Sequence, residues 1–473
     1  MFFSLLTFIY VACALLLAVY AASEVALLII YWRTHHHQPP LPAVSTWPGV
    51  TIQLPLYNER YVVNRLLEAV AALDYARDCL FIQVLDDSTD DTGEIARQMC
   101  ESLAEQGLHI RYVHRTERSG YKAGALANGM AQLQTEFVAV LDADFVPPPD
   151  FLRRTIPYLV ADPDLGMVQT RWGHLNTFAN LLTLGQTLAL DAHFVVEQTA
   201  RSQAGLLMSF NGSGGVWRTA CIRESGGWRA TTLTEDLDLS YRAQLAGWRL
   251  LYVPDVVVPA ELPPQIAAYK QQQARWATGS TQVLWALFGR LWRSPFSVSQ
   301  RLMATLHLCQ YLPHPLMMAL LLLTPPLLLT RSLDGLTLGW LSVVGLGPPL
   351  VYVVSQHSLY SDWKRRLWGF PMLLVLGTGI AWSNTWAVLH SRGRRHDFKR
   401  TPKFSRNWQT SGYALRMDPH LWMEGLLAGY ALWGMVLAWY SNRALVFYLG
   451  IYAIAFFTMV LWGIREYWLL RKR

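Results

Sequence analysis

Asp142 and Asp144 stand one residue apart at the end of the apolar run Phe137 to Leu141. Alternate side chains of an extended chain share a side, so this spacing offers two hard oxygen donors to one cation. Mg²⁺ or Mn²⁺ prefers such oxygens and is completed by phosphates and water. A D-x-D alone is common on surface loops; its weight here comes from what accompanies it. Asp86-Asp87 closes a second apolar run, Leu80 to Leu85. Gly120-Tyr121-Lys122-Ala123-Gly124-Ala125 opens a helical stretch suited to an approaching phosphate, with Lys122 as a point charge. Thr234-Glu235-Asp236 adds a later carboxylate pair, and Gln272-Gln273-Ala274-Arg275-Trp276 a polar, cationic and aromatic set. Each of these can be a solvated surface feature; the whole series in this order is hard to assign to chance.

These groups need elements to hold them. Val50–Leu54 reads as a buried strand stopped by Pro55, Tyr61–Leu73 as a helix, and Leu80–Leu85 as a second strand. A helix over Thr92–Gln106, a strand over Ile110–Val113, a helix over Lys122–Leu133 and a strand over Phe137–Leu141 follow. Strands alternating with helices, with acids at the strand ends, predict a parallel α/β sheet. Ligands of such sheets bind beyond the carboxyl ends of the strands, where the acidic pairs lie.

The composition places that domain beside a membrane. Of 473 residues, 52% are hydrophobic and 15% charged, against about 25% charged in soluble proteins. A disordered chain is excluded and an ordinary soluble enzyme disfavoured. The net charge of +7 is too small to argue for nucleic acid when basic residues gather beside apolar spans. The five cysteines, Cys13, Cys79, Cys100, Cys221 and Cys309, form no C-x-x-C, so neither a zinc site nor a disulfide framework follows.

Residues 1–32 read as a retained N-terminal transmembrane helix, with Glu24 near its cytoplasmic end at the interface or facing a channel. Residues 47–263 form the cytosolic α/β domain, and 264–301, which carry the Gln272–Trp276 set, read as interfacial helices. Two spans are expected in 302–356 (Leu302–Thr330 and Leu333–Val354), and two more with a basic C-terminus in 419–473. Residues 357–390 are the ambiguous part. Basic residues flank the apolar stretch Trp368–His390 on both sides, and a crossing would put one basic loop outside. We read 357–390 as interfacial or re-entrant and 391–418 as a cytosolic loop, giving about five spans; a sixth is the alternative. His307, Gln310, His314 and Gln356 can line a polar path through the helices or bond between them.

With these motifs in place, the chain resembles membrane-embedded family 2 glycosyltransferases of the processive β-glycan synthase type. The resemblance is strongest over residues 50–285. It rests on Gln83 to Asp90, Gly120 to Leu126, Asp142-Ala143-Asp144-Phe145, Phe210-Asn211-Gly212, Glu261-Leu262-Pro263 and Gln272-x-x-Arg275-Trp276. Those stretches are similar to the plant cellulose-synthase-like A and C enzymes, which make mannan, glucomannan or glucan backbones. Arg400-Thr401-Pro402-Lys403 resembles the gating loop of cellulose synthases, with Phe398 in place but Arg400 where a valine is usual.

The resemblance implies a GT-A (Rossmann-like) fold and assigns roles. Pro55, Tyr57 and Glu59 line the nucleotide pocket, and Asp86 or Asp87 binds the base. Lys122, Arg275 and a metal on Asp142 and Asp144 face the donor diphosphate, the metal offsetting leaving-group charge. Asp236 is the general base, taking the acceptor proton as its oxygen attacks the anomeric carbon. Asn211, Gly212, Glu235, Gln272 and Trp276 belong to the acceptor side, and Thr401 and Lys403 to the gating loop. The implied activity is an inverting, processive transfer of glucose or mannose from UDP-glucose or GDP-mannose to a β-1,4-linked polysaccharide, translocated across a bacterial plasma membrane. A single-turn glycolipid synthase acting on ceramide or diacylglycerol is the alternative. A transporter that only binds nucleotide sugars would not need the carboxylate set. Whether one chain or a homo-oligomer forms the path is left open.

Overall fold

The computed structural model describes residues 2–336, 345–392, 398–405 and 408–471. Its centre is a seven-stranded sheet of β1 (Val50–Leu56), β2 (Leu80–Asp86), β3 (His109–His114), β4 (Phe137–Val140), β5 (Leu165–His174), β6 (Gly215–Arg218) and β7 (Arg249–Ala260). The strand order is β3-β2-β1-β4-β6-β5-β7. β1 to β4 pair in parallel, as the alternation of strands and helices predicts. The sheet as a whole is mixed, because β6 runs antiparallel to both β4 and β5. The reason is local. Gly212 and Gly214 take φ of +88° and +66° and turn the chain back before β6, a conformation glycine reaches without strain.

β1 and β4 are apolar and almost wholly buried because both sheet faces are covered. One face packs on the helices Val63–Ala71 and Thr92–Glu105. The other packs on the helix Tyr121–Met130 and on Phe194, Trp217 and Trp228. Register aligns the strand ends: Leu56 lies opposite Asp86, and Gln53 opposite Val140. Residues 55–59, 86–87 and 142–144 therefore emerge along one edge.

Among the described residues, four helices are long and apolar enough to cross a membrane: Phe3–Thr34, Trp363–Leu389, Leu421–Ser441 and Ala444–Arg471. The expected single span Leu302–Thr330 is instead two helices, Val298–Leu308 and Pro313–Leu329, bent by 66°. Pro313 begins the second helix; it has no N–H with which to continue the first. Part of the expected span Leu333–Val354 lies outside the described residues; its described helix, Gly347–Leu359, begins with Pro348-Pro349. Trp363–Leu389 passes the length and composition test that the reading of 357–390 had set aside, but more than half of its apolar window is buried in protein. Its first flank touches the α/β unit and its second the helix Ile266–Trp292. Arg366 stacks over Phe178, Gly369 packs under Leu184, and Gln282 bonds to the Ser391 carbonyl. Glu24 is half-buried and faces the Glu197–Arg201 pair of the α/β domain.

The long helix Ile266–Trp292 joins the two parts. It presses on the loop before the helix Glu235–Leu245 at Gly279, where an added Cβ would lie 2.5 Å from Thr234 Cγ2 and 2.9 Å from its Cβ. Thr234 is β-branched and has little rotamer freedom with which to yield. Gly289, on the same helix, has nothing within 4 Å. Gly279→Ala is therefore expected to destabilise by about 1–3 kcal/mol through overpacking. Gly289→Ala should be neutral or stabilise by up to about 1 kcal/mol through helix propensity. Thermal unfolding of both variants in detergent checks this; equal midpoints would contradict the close packing at Gly279.

Candidate active site

A cleft opens over the carboxyl ends of β1 and β4 and is roofed by the helix Ile266–Trp292 and by residues 398–403. At its floor Lys122, on the first turn of the helix Tyr121–Met130, stands among acids. Its Nζ lies 2.5 Å from Asp142 Oδ1 and 3.7 Å from Glu235 Oε1, and it donates to the Gly212 carbonyl at 2.8 Å. Burial works against its charge, but Asp142 and Glu235 outweigh burial and raise its pKa. Ser213 Oγ accepts from the Asp142 amide at 2.9 Å and holds the glycine loop to the D-x-D turn.

Asp144 is buried. Its Oδ2 accepts from Lys403 Nζ at 2.7 Å and from the Glu261 amide at 3.0 Å. The two aspartates thus have separate lysine counter-ions. Their donor set is two hard oxygens beside an open cleft, which suits Mg²⁺ or Mn²⁺. No group of three or more His, Cys, Asp or Glu able to hold a metal exists among the described residues. A cation here would take its remaining ligands from phosphate and water.

The loop 398–405 is docked on carboxylates. Arg400 Nη1 lies 3.1 Å from Glu59 Oε1 and its guanidinium stacks over Tyr413 at 4.2 Å. The arginine at a position where the resembled motif has valine therefore has two partners. Burial pushes the Glu59 carboxyl up to about 8, opposed by Arg400. Glu261 Oε2 accepts the Phe404 and Ser405 amides at 3.2 and 3.1 Å, and its Oε1 pairs with Arg65 at 2.8 Å. Thr401 lines the cleft with a buried hydroxyl that has no partner among the described residues. Phe398 lies under Arg275, 4.5 Å from guanidinium to ring, and stacks on Tyr121. Arg275 has no ion pair among the described residues; burial lowers its pKa against the pull of Glu235, Asp142 and Asp236.

Asp236 sits in the first turn of the helix Glu235–Leu245, where its Oδ1 accepts from the Leu237 amide at 2.8 Å. Burial pushes its carboxyl up to about 7; Glu235 adds to the shift and Lys122 opposes it. That poises it to hold or release a proton near neutrality. A Cβ at Gly212 would lie 2.7 Å from Asp236 Oδ2, so only glycine lets the loop pass this carboxylate. Asp236, Asn211, Gln272 and Trp276 also line a second cavity of about 1120 Å³, which continues to His307, Gln310 and Tyr311.

Of the residues singled out in the sequence, Pro55, Tyr57, Glu59, Asp87, Lys122, Asp142, Asp144, Asn211, Gly212, Glu235, Asp236, Gln272, Arg275, Trp276, Thr401 and Lys403 all line the first cleft. Asp86 does not. It is fully buried behind the strand end, accepting from Tyr112 Oη at 2.7 Å and the Ser88 amide at 3.0 Å, with His114 Nδ1 3.1 Å away. Its acceptors are spent on the protein, which leaves Asp87, paired with Arg115 at 2.5 Å, as the member of the pair at the cleft. Sequence reasoning missed Arg118, which lies 3.3 Å over the Tyr57 ring in the cleft. Its place directly before the glycine-rich helix start was the available signal. It also missed His174, bonded to Asp191 at 3.0 Å, for which the sequence carried no pattern.

The description "Glycosyltransferase like family 2" matches residues 48–279. Glucomannan 4-beta-mannosyltransferase 1 of Oryza sativa subsp. japonica is 46% identical over 244 residues, 51% of this chain and 47% of the relative. Glucomannan 4-beta-mannosyltransferase 2 of Arabidopsis thaliana is 41% identical over 273 residues, 55% of this chain and 51% of the relative. The chain thus spans about half the length of the curated relatives it matches. A solved mannosyltransferase, PcManGT from Pyrobaculum calidifontis in complex with GDP-Man and Mn²⁺, superimposes with a TM-score of 0.55 at 22% identity, over 82% of this chain and all of that one, which shows a shared GT-A-like fold. Residues 48–279 are a glycosyltransferase-like domain of family 2, set beside several helices apolar enough to span a membrane.

Proposed function

We propose that the chain transfers mannose from GDP-mannose to a growing β-1,4-linked mannan or glucomannan, with inversion, and stays bound to the product between transfers. The observation that carries this is the position of Asp236, at the junction of two cavities. One holds the lysine–carboxylate cluster; the other leads on to polar groups on the helices beyond. Half the length of two plant mannosyltransferases is matched at more than 40% identity, which supports mannose over glucose. A glycolipid product has no comparable support, and the plant relatives lend nothing to a bacterial plasma membrane.

The donor diphosphate would lie between Lys122 and Arg275, whose guanidinium is free to meet it bidentately. A divalent cation on Asp142 and Asp144 would offset charge on the departing diphosphate. Trp276 offers a flat apolar face at the acceptor end, suited to a sugar ring. Asp236 takes the acceptor hydroxyl proton as that oxygen attacks the anomeric carbon; one displacement turns an α-linked donor into a β-glycoside. The transition state has the oxocarbenium character of glycoside hydrolysis. The α/β domain is read as cytosolic, with 357–390 lying along the membrane interface.

Purified chain in lipid vesicles with Mn²⁺, given radiolabelled GDP-mannose or UDP-glucose, is expected to make alcohol-insoluble product from GDP-mannose that a β-mannanase destroys. Label moving with lipid at one sugar per molecule would overturn the polymer reading. Asp236→Asn should lower transfer by about 10²–10⁴-fold with GDP-mannose affinity unchanged; full turnover would remove Asp236 from the base role. Because the base must be unprotonated, kcat/KM should be lost as pH falls through about 7. A flat profile between pH 5 and 9 would contradict that assignment.

A further inference from the structure

Behind Asn211, the helix that begins at Leu181 takes the π form over His193–Gln198 before resuming at Thr199. Such turns are frequent at functional sites, and this one supplies both partners of the Asn211 side chain among the described residues. Gln198 Nε2 lies 2.8 Å from the Ser209 carbonyl and 2.6 Å from Asn211 Oδ1. Asn211 Nδ2 lies 2.9 Å from His193 Nε2. His193 Nδ1 lies 2.7 Å from Glu197 Oε2, and Glu197 Oε1 accepts from Arg201 Nε at 2.8 Å.

The two ends of this string fix its direction. A backbone carbonyl only accepts, so Gln198 presents its nitrogen to Ser209 and donates its other hydrogen to Asn211 Oδ1. Asn211 must then donate through Nδ2, which requires a bare Nε2 on His193 and puts the ring proton on Nδ1. At the far end the Glu197 carboxylate also only accepts, and it asks for the same tautomer. Burial opposes the charge on Glu197, but Arg201, with the hydrogen bond from His193, outweighs it and holds the carboxyl well below the usual range. Flipping Asn211 sets donor against donor at Gln198, and flipping Gln198 sets acceptor against acceptor at Ser209. Adding a proton to Nε2 sets donor against donor at Asn211. Each leaves polar groups of the string unpaired.

Asn211 spends one amide hydrogen on His193; the second has no partner among the described residues, and the residue lines both cavities. Its own amide N–H is held by Gln169 at 2.9 Å. We propose that His193 is a positioning residue of the acceptor site, kept as the neutral Nδ1–H tautomer so that Asn211 turns one fixed amide N–H toward a hydroxyl of the incoming sugar. This rests on the glycan-transfer reading above. His193 itself need not touch the acceptor: it acts through Asn211.

The test uses the full chain in lipid nanodiscs with GDP-mannose, Mn²⁺ and manno-oligosaccharide acceptors. His193→Leu is expected to raise the acceptor KM or lower kcat by about ten- to hundredfold in combination, with GDP-mannose affinity within twofold of the parent. His193→Gln, whose amide oxygen can accept from Asn211, should restore most of the loss. An acceptor KM and kcat within twofold in His193→Leu, or a matching fall in donor affinity, overturns the proposal. A substrate-free readout guards against misfolding of the leucine variant. In chain labelled with ¹⁵N,¹³C-histidine, the parent-minus-His193→Gln difference spectrum should show a protonated Nδ1 and a bare Nε2, the latter assigned through its correlation with Cδ2. A doubly protonated ring or the opposite tautomer refutes the string. A parent chain that ignores glycan acceptors would overturn the functional reading and the acceptor role with it, while the nitrogen spectrum still decides the tautomer.

Discussion

The ammonium of Lys122 is the contact on which the site depends. It stands between Asp142 and Glu235 and is bonded to the Gly212 carbonyl, so one charge ties the D-x-D turn, the glycine loop and the Thr234–Asp236 loop together. Uncompensated carboxylates in such a place would be costly to bury. The fold meets that constraint with one cation per acid: Lys122 for Asp142, Lys403 for Asp144, Arg400 for Glu59 and Arg65 for Glu261. Asp236 lacks a pair of this kind. Burial raises its proton affinity to about 7, which lets it hold or release a proton near neutrality.

Much of this was legible in the sequence, for reasons that differ by element. The strands carrying Asp87 and Asp142 are short apolar runs ending in acids, and register places those ends together. The glycines of 212–215 signal close approach, and the Gly212 contact with Asp236 is that approach. The antiparallel β6 was not legible, because four residues after a glycine turn carry no directional pattern. Nor was the choice between Asp86 and Asp87: adjacent strand residues point to opposite sides, and only the fold says which side is the cleft. The partners of the π-turn, His193, Glu197 and Gln198, escaped notice because His193 and Glu197, spaced i,i+4, look like an ordinary helix-face pair.

The basic residues of 391–418 carry a further lesson. Counted as charges, they argue by the positive-inside rule that this stretch stays with the cytosolic domain. The structure gives Arg400 and Lys403 a more specific task, as counter-ions of Glu59 and Asp144. Those contacts hold the loop directly against the family 2 domain. The same reasoning applies at the other flank of the disputed helix, where Arg366 stacks over Phe178 of that domain. A straight helix of 27 residues would be about 40 Å long at 1.5 Å per residue. Crossing a bilayer, it would carry its ends to opposite faces. Here the helix breaks near Ile380 into Phe370–Gly379 and Ala381–Leu389. The first half packs on Ala444–Arg471 and on the domain's own Leu181–Ala192 helix, the second on Ile266–Trp292 and Pro313–Leu329. Those contacts account for an apolar stretch more than half buried in protein.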